Sequence, residues 1–307
     1  MQSSYSLNSS RRTLSVPSLQ ESPAVTAVTL EARSTRKGRH GQPPPSSQHL
    51  LFGSWKGIPV MLRLCEKNRL IDEWDNQVIE EMRLVRALNN DNLLKVYGAV
   101  IEPAHLSIVN EYCSKGTLQD VLLGGSIKLE WLFRFSLIND IVSGISYLHT
   151  TVLTYHGRLS SACCYVNGKF VLKIGDYGLP IFYAKSRPST AGREPTNEEM
   201  KAQYYTAPEV LQYPSQKGSQ EGDVYAFAII LQEVILREEA YSMYSFDPKE
   251  ILWRVRKTDD FRPKIDAKEQ PECPDSLLAL MEQCWARNPL ERPRFPQIKL
   301  SLRQITK

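Results

Sequence analysis

The chain has 307 residues and a mass of 35.0 kDa, 42% of it hydrophobic, which is enough for a large buried core and excludes disorder throughout. Its formal charge of +4 lies wholly in residues 1–49, where Arg11, Arg12, Arg33, Arg36, Lys37 and Arg39 stand against Glu21 and Glu31. The rest of the chain is balanced, which argues against a nucleic-acid partner for the folded part.

In chain order, residues 1–49 are rich in Ser, Thr, Pro and Arg and show no apolar periodicity, so a disordered tail is expected. Within it Arg12-Thr13-Leu14-Ser15-Val16-Pro17 has the form R-[ST]-x-S-x-P. That makes Ser15 a phosphorylation candidate and, once phosphorylated, a seat for an adaptor of the 14-3-3 type; the alternative is a plain solvated linker. From about Leu50 short β-branched and aromatic runs (Val60 to Leu64, Leu94 to Ile101, Leu106 to Glu111) surround a helical pattern from Asp72 to Leu88. After Gly116 helical patterns take over, at Leu118 to Leu123, Leu129 to Thr150, Gln220 to Arg237, Pro248 to Arg256, Pro274 to Trp285 and Pro289 to Ile305. An α+β fold with two lobes is expected over 50–307, strand-rich with one helix to about residue 113 and helical from about 114.

The most apolar run, Val224 to Leu236, is interrupted by Gln232 and Glu233, so no membrane-spanning helix is expected. The N-terminus lacks the apolar stretch of a signal peptide. The six cysteines (Cys65, Cys113, Cys163, Cys164, Cys273, Cys284) include no C-x-x-C pair and read as reduced, cytosolic thiols.

Three landmarks recur in fixed order. His156-Gly157-Arg158 follows a helix ending Tyr147-Leu148-His149, Asp176-Tyr177-Gly178 follows a strand expected over Phe170 to Ile174, and Ala207-Pro208-Glu209 closes a long loop. Beyond them lie Gly222-Asp223-Val224-Tyr225-Ala226-Phe227, Cys284-Trp285 and Arg292-Pro293. Together they resemble the catalytic loop, metal loop, substrate-lobe anchor and terminal helix of protein kinases. The resemblance implies structural roles for His156, Tyr177, Gly178, Glu209, Asp223 and Arg292: a buried Glu209–Arg292 pair, and Asp223 anchoring the catalytic-loop backbone.

Kinase catalysis is mostly positioning and charge neutralisation by a glycine loop, a strand Lys, a catalytic Asp, an Asn and a metal-loop Asp. Here only Asp176 survives, as a metal ligand without its usual company. The resemblance puts Arg63 at the strand Lys with Glu81 as its partner, Arg158 at the catalytic Asp, Ser160 at a Lys that touches the transferred phosphate, and Cys163 at the second metal ligand. An arginine fork is no simple substitute for a Lys point charge, a soft thiol is a poor Mg2+ ligand, and Ser47 to Gly57 contains no G-x-G-x-x-G. No phosphotransferase activity is expected. A nucleotide site, on the same resemblance, would draw on Met61, Arg63, Glu81, Glu111, Cys113, Tyr165 and Asp176. Met61 and Tyr165 are bulkier than the residues that usually flank adenine and would fill its slot themselves; alternatively Tyr165 turns aside and ATP enters.

The spelling of these motifs narrows the resemblance. His156-Gly157-Arg158-Leu159, Phe170-Val171-Leu172-Lys173-Ile174, Asp176-Tyr177-Gly178-Leu179 and Glu111-Tyr112-Cys113-Ser114-Lys115-Gly116-Thr117-Leu118 are similar to the kinase-homology domain of receptor guanylyl cyclases, over about Ser54 to Thr306. The resemblance implies a regulatory module on the cytosolic side of a membrane, partnered by a cyclase domain and a second copy in a dimer. It further implies ATP as an allosteric ligand, which the departures at Arg63, Ser160 and Cys163 put in question. A free-standing cytosolic pseudokinase scaffold is the alternative, and an active kinase with non-standard residues the remaining one. On the first reading the chain is a fragment or truncated product of a receptor.

Overall fold

The structure is a computed structural model that describes residues 12–17, 25–30, 50–65, 76–102, 105–125, 127–183, 194–213, 218–268, 270 and 272–306. Two compact units divide these residues. The smaller draws on Met1–Asn89, Leu94–Ser114 and Leu179–Ser189, the larger on Asn90–Leu93, Lys115–Gly178 and Thr190–Lys307.

The smaller unit is built on six strands: β1 (Arg12–Pro17), β2 (Val25–Leu30), β3 (Leu50–Trp55), β4 (Ile58–Cys65), β5 (Val96–Glu102) and β6 (His105–Glu111). Their order is β1-β2-β3-β4-β6-β5, with antiparallel neighbours throughout. Strands β1 and β2 depart from the expected structureless tail. Val25-Thr26-Ala27-Val28-Thr29-Leu30 is β-branched at four of six positions, and it covers the edge that β3 would otherwise leave open. The remainder of the expected tail lies outside the described residues. Ser15 sits within β1, its backbone opposite Ala27.

Strands β3 and β4 meet at Lys56-Gly57, where both residues have positive φ (51° and 78°) between the paired Trp55 and Ile58. This is the two-residue hairpin turn whose twist matches that of its strands. Alternation along β4 sends Val60 and Leu62 to one face, where they pack with Val100, Val109, Trp55 and Tyr97, and Met61 and Arg63 to the other. Helix α1 (Asn76–Ala87) buries Val78, Met82 and Val85, one stripe at helical spacing; residues 72–75 of the expected helix lie outside the described ones.

The larger unit is helical around a three-stranded sheet, β7 (Gly116–Thr117), β8 (Cys164–Val166) and β9 (Leu172–Ile174). Its helices are α2 (Leu118–Leu123), α3 (Trp131–Leu148), α5 (Asn197–Lys201), α6 (Pro208–Gln212), α7 (Gln220–Leu236), α8 (Pro248–Lys257), α9 (Asp275–Cys284) and α10 (Phe295–Ile305), while α4 (Pro180–Tyr183) belongs to the smaller unit. Helix α2 starts at a reciprocal cap in which Thr117 Oγ1 accepts the Asp120 N–H (3.1 Å) and Asp120 Oδ2 the Thr117 N–H (3.0 Å). Every residue of α7 from Asp223 to Ile235 is buried, as befits a helix apolar on all sides at the centre of a unit.

Two expected elements are corrected. Phe170 has φ of 62°, a left-handed turn conformation, so the strand expected from Phe170 begins only at Leu172. The single helix expected over Pro289 to Ile305 is a 3-10 turn (Pro289–Glu291) followed by α10. Pro293 lacks an N–H, and the residue before a proline is pushed out of the helical region, so the two cannot be continuous.

Between α1 and β5, Asn90–Leu93 belongs to the larger unit. Leu93 bridges Ile174 in parallel, Asn92 O accepts the Ile174 N–H (2.9 Å) and Asn92 Nδ2 donates to Leu172 O (3.1 Å). Gly144 of α3 allows this approach, since a Cβ there would lie 2.7 Å from both Asn92 O and Ile174 Cδ1. Among the described residues no helix is long and apolar enough to cross a membrane.

Candidate functional site

The hairpin of β8 and β9 sets two loops side by side, His156–Cys163 before β8 and Gly175–Gly178 after β9. Gly175 N donates to Cys163 O (2.8 Å), and the ring Nε2 of buried His156 lies 2.8 Å from Gly175 O. Because His156 Nδ1 accepts the Arg158 N–H (3.1 Å), the ring proton belongs on Nε2, pointing at Gly175. From below, the buried Asp223 carboxylate of α7 accepts the N–H groups of His156 (2.6 Å) and Gly157 (2.8 Å) and lies 2.8 Å from His149 Nε2. The first loop is therefore fixed through its backbone.

Arg158 turns to the second loop. Its Nη2 donates to Asp176 O and Gly178 O, each at 2.7 Å, spanning the buried Tyr177. Asp176 itself has φ of 57° and Gly178 of 62°; for an aspartate this is a costly conformation that persists where its surroundings impose it. The Tyr165 hydroxyl lies 3.5 Å from Asp176 Oδ1.

Ser160 opens the 3-10 turn Ser161–Cys163. Cys163 Sγ accepts the Ser160 N–H (3.2 Å) and lies 3.1 Å from Ser160 O and 4.0 Å from His156 Nε2. Burial raises the Cys163 thiol, but the hydrogen bond from Cys164 and the neighbouring His156 ring outweigh it and hold the thiol well below its ordinary value. Cys164, donating that bond and buried itself, lies well above.

The Glu209 carboxylate of α6 and the Arg292 guanidinium form a two-pronged pair (2.7 and 2.8 Å), with further bonds from Arg292 to Glu221 O and Ala286 O, both at 2.9 Å. Of the other residues expected at a nucleotide site, Met61, Arg63, Glu81, Glu111 and Cys113 belong to the smaller unit, Tyr165 and Asp176 to the larger. Met61, Cys113 and Tyr165 are buried. Glu111 ends β6, its carboxylate accepting the Lys95 N–H (3.2 Å), and Glu81 of α1 accepts from Gln77 (3.4 Å).

The sequence reading missed one cluster. Glu233 Oε1 accepts from Ser161 Oγ (3.0 Å) and from the Tyr205 hydroxyl (2.9 Å), and burial pushes its carboxyl up to about 8 against those two bonds. The available signal was an acidic residue, next to Gln232, interrupting the apolar run of α7. A cavity of about 420 Å3 lies elsewhere, lined by Tyr204, Tyr241, Tyr244 and Phe246 among others, and none of the loop positions above reaches it.

A strand-rich unit followed by a helical one, with these three motifs in order, is the architecture of a protein kinase. The family description "Protein tyrosine and serine/threonine kinase" matches residues 49–302, and the chain belongs to this family. Its relatives include a receptor-type guanylate cyclase. The chain is 42% identical over 262 residues to atrial natriuretic peptide receptor 2 of Rattus norvegicus, covering 83% of this chain and 24% of that receptor. Against receptor-type guanylate cyclase Gyc76C of Drosophila melanogaster it is 38% identical, covering 75% and 15% respectively. The speract receptor of Strongylocentrotus purpuratus is 34% identical, with 83% and 23% covered. The chain thus spans at most about a quarter of the length of these relatives, and what it matches in them is their kinase-like region.

Proposed function

We propose that this chain is a kinase-homology module that transfers no phosphate and regulates a receptor guanylyl cyclase. The observation that carries the first half is Arg158. A kinase needs a proton-accepting carboxylate at that position, and an arginine, permanently protonated, accepts nothing. One nitrogen of its guanidinium moreover donates to two backbone carbonyls. The metal fits poorly as well. Mg2+ demands an octahedron of oxygen ligands, yet Asp176 is accompanied by the sulfur of Cys163, already bonded within its own turn.

The second half rests on the relatives, whose names include a receptor-type guanylate cyclase. On this reading the module sits on the cytosolic side of a membrane beside a cyclase domain and a dimer partner, and any role of ATP is allosteric. Adaptor docking at Ser15 draws no support from those relatives. The test of inactivity is incubation of the purified chain with labelled ATP and Mg2+. Incorporation should not exceed that of an Asp176→Ala control; labelling that the control abolishes would overturn the reading.

A further inference from the structure

We infer that Arg158 is a built-in cation that staples the Asp176–Gly178 loop shut over Tyr177, so that the loop keeps one conformation without any metal. The inference rests on the reading of Arg158 as structural rather than chemical, and it concerns regulation of that same site.

The loop gains from being held, because Asp176 lies in the left-handed region at φ 57°, which aspartate enters more readily than most residues with a Cβ but less readily than glycine. Three contacts of the larger unit are placed to impose it. His156 Nε2 and Cys163 O fix Gly175 through its carbonyl and N–H. Beyond Gly175, the two hydrogens of Arg158 Nη2 meet the carbonyls on either side of Tyr177 at equal distances of 2.7 Å. A single nitrogen with two hydrogens can satisfy both acceptors at once, and its charge strengthens both bonds. Arg158 itself is exposed, but the backbone just before it is held, since Asp223 accepts the N–H groups of His156 and Gly157. The staple thus runs from the buried centre of α7 through the first loop to the second. A cation supplied by the chain occupies the task of ordering this loop, which accords with a ligand set ill suited to Mg2+.

Hydrogen exchange and limited proteolysis of the full chain test the staple. In wild type, exchange at Gly175 and chymotryptic cleavage after the buried Tyr177 should be slow and indifferent to added MgCl2. Arg158→Ala should speed both by roughly tenfold or more, since it removes two charge-assisted but exposed hydrogen bonds, while amides of α9 and α10 stay unchanged. Arg158→Lys keeps the charge but not the paired hydrogens in the same plane, and should fall between; it decides the matter should the alanine variant unfold. Equal rates in wild type and both variants, or a wild-type loop that tightens with MgCl2, would overturn the inference. Its failure is separable from failure of the inactivity reading: a loop that loosens in a protein that also labels itself would leave the staple standing and remove the pseudokinase.

Discussion

Glu233 shows how a single residue can set the pH response of the larger unit. Burial raises its carboxyl from 4.5 to about 8, against the bonds from Ser161 and Tyr205. Between those two values the folded protein keeps a proton that the unfolded chain has released. Stability should therefore fall as pH rises through this window, by about 1.4 kcal/mol per pH unit at most, and level off above the upper value. Glu233→Gln removes the ionisation while keeping an acceptor for Ser161 and Tyr205. Its urea midpoint should be flatter from pH 5 to 8 than that of wild type and higher than wild type at the alkaline end; an unchanged slope would contradict the assignment. The sequence contained this residue in plain view, as an interruption of an apolar run. Its partners, Ser161 and Tyr205, are 72 and 28 residues away, and no local pattern links them.

Among elements, the pairing of Glu209 on α6 with Arg292 after the Pro289–Glu291 turn ties together segments 83 residues apart, and Arg292 also reaches the carbonyl of Glu221 in α7. The arginine side chain is fully buried and the glutamate 19% exposed. Arg292→Ala should then cost about 3–5 kcal/mol, chiefly by leaving the carboxylate without its partner, read as a lowered urea midpoint with circular dichroism retained in water. An unchanged midpoint would remove the pair from the account. Strong helices were legible from periodicity: α2 falls at its expected bounds, and α7 and α8 within one residue. Elements decided by long-range pairing were not. Strand β3 has no clean alternation, β1 and β2 gain order by completing the edge of a sheet, and β9 is shortened because Phe170 must turn. Proline placement near Arg292 could have been read from the sequence as a break, since Pro293 and Pro296 follow in quick succession.

At the scale of the whole molecule, the two-lobed kinase-like fold was legible because its motifs are spaced across most of the chain and each is a structural device as much as a chemical one. What the motifs could not reveal is which contacts the side chains at these positions make. That Arg158 stands where a kinase has an acid is implied by the resemblance, but its grip on Asp176 O and Gly178 O is a matter of geometry alone. The same holds for Cys163, whose sulfur closes its own turn. On the proposed reading, loops braced in this way suit a module that transmits or restrains rather than reacts. The most direct measurement exchanges the aligned region of receptor-type guanylate cyclase Gyc76C for residues 50–306 of this chain and follows cyclic GMP production in membranes. The account predicts low basal production, rising at least several-fold in an Asp223→Ala version of the exchanged module, whose first loop is unpinned. Basal production as high with the intact module as with a flexible linker of equal length, and indifferent to Asp223, would contradict it.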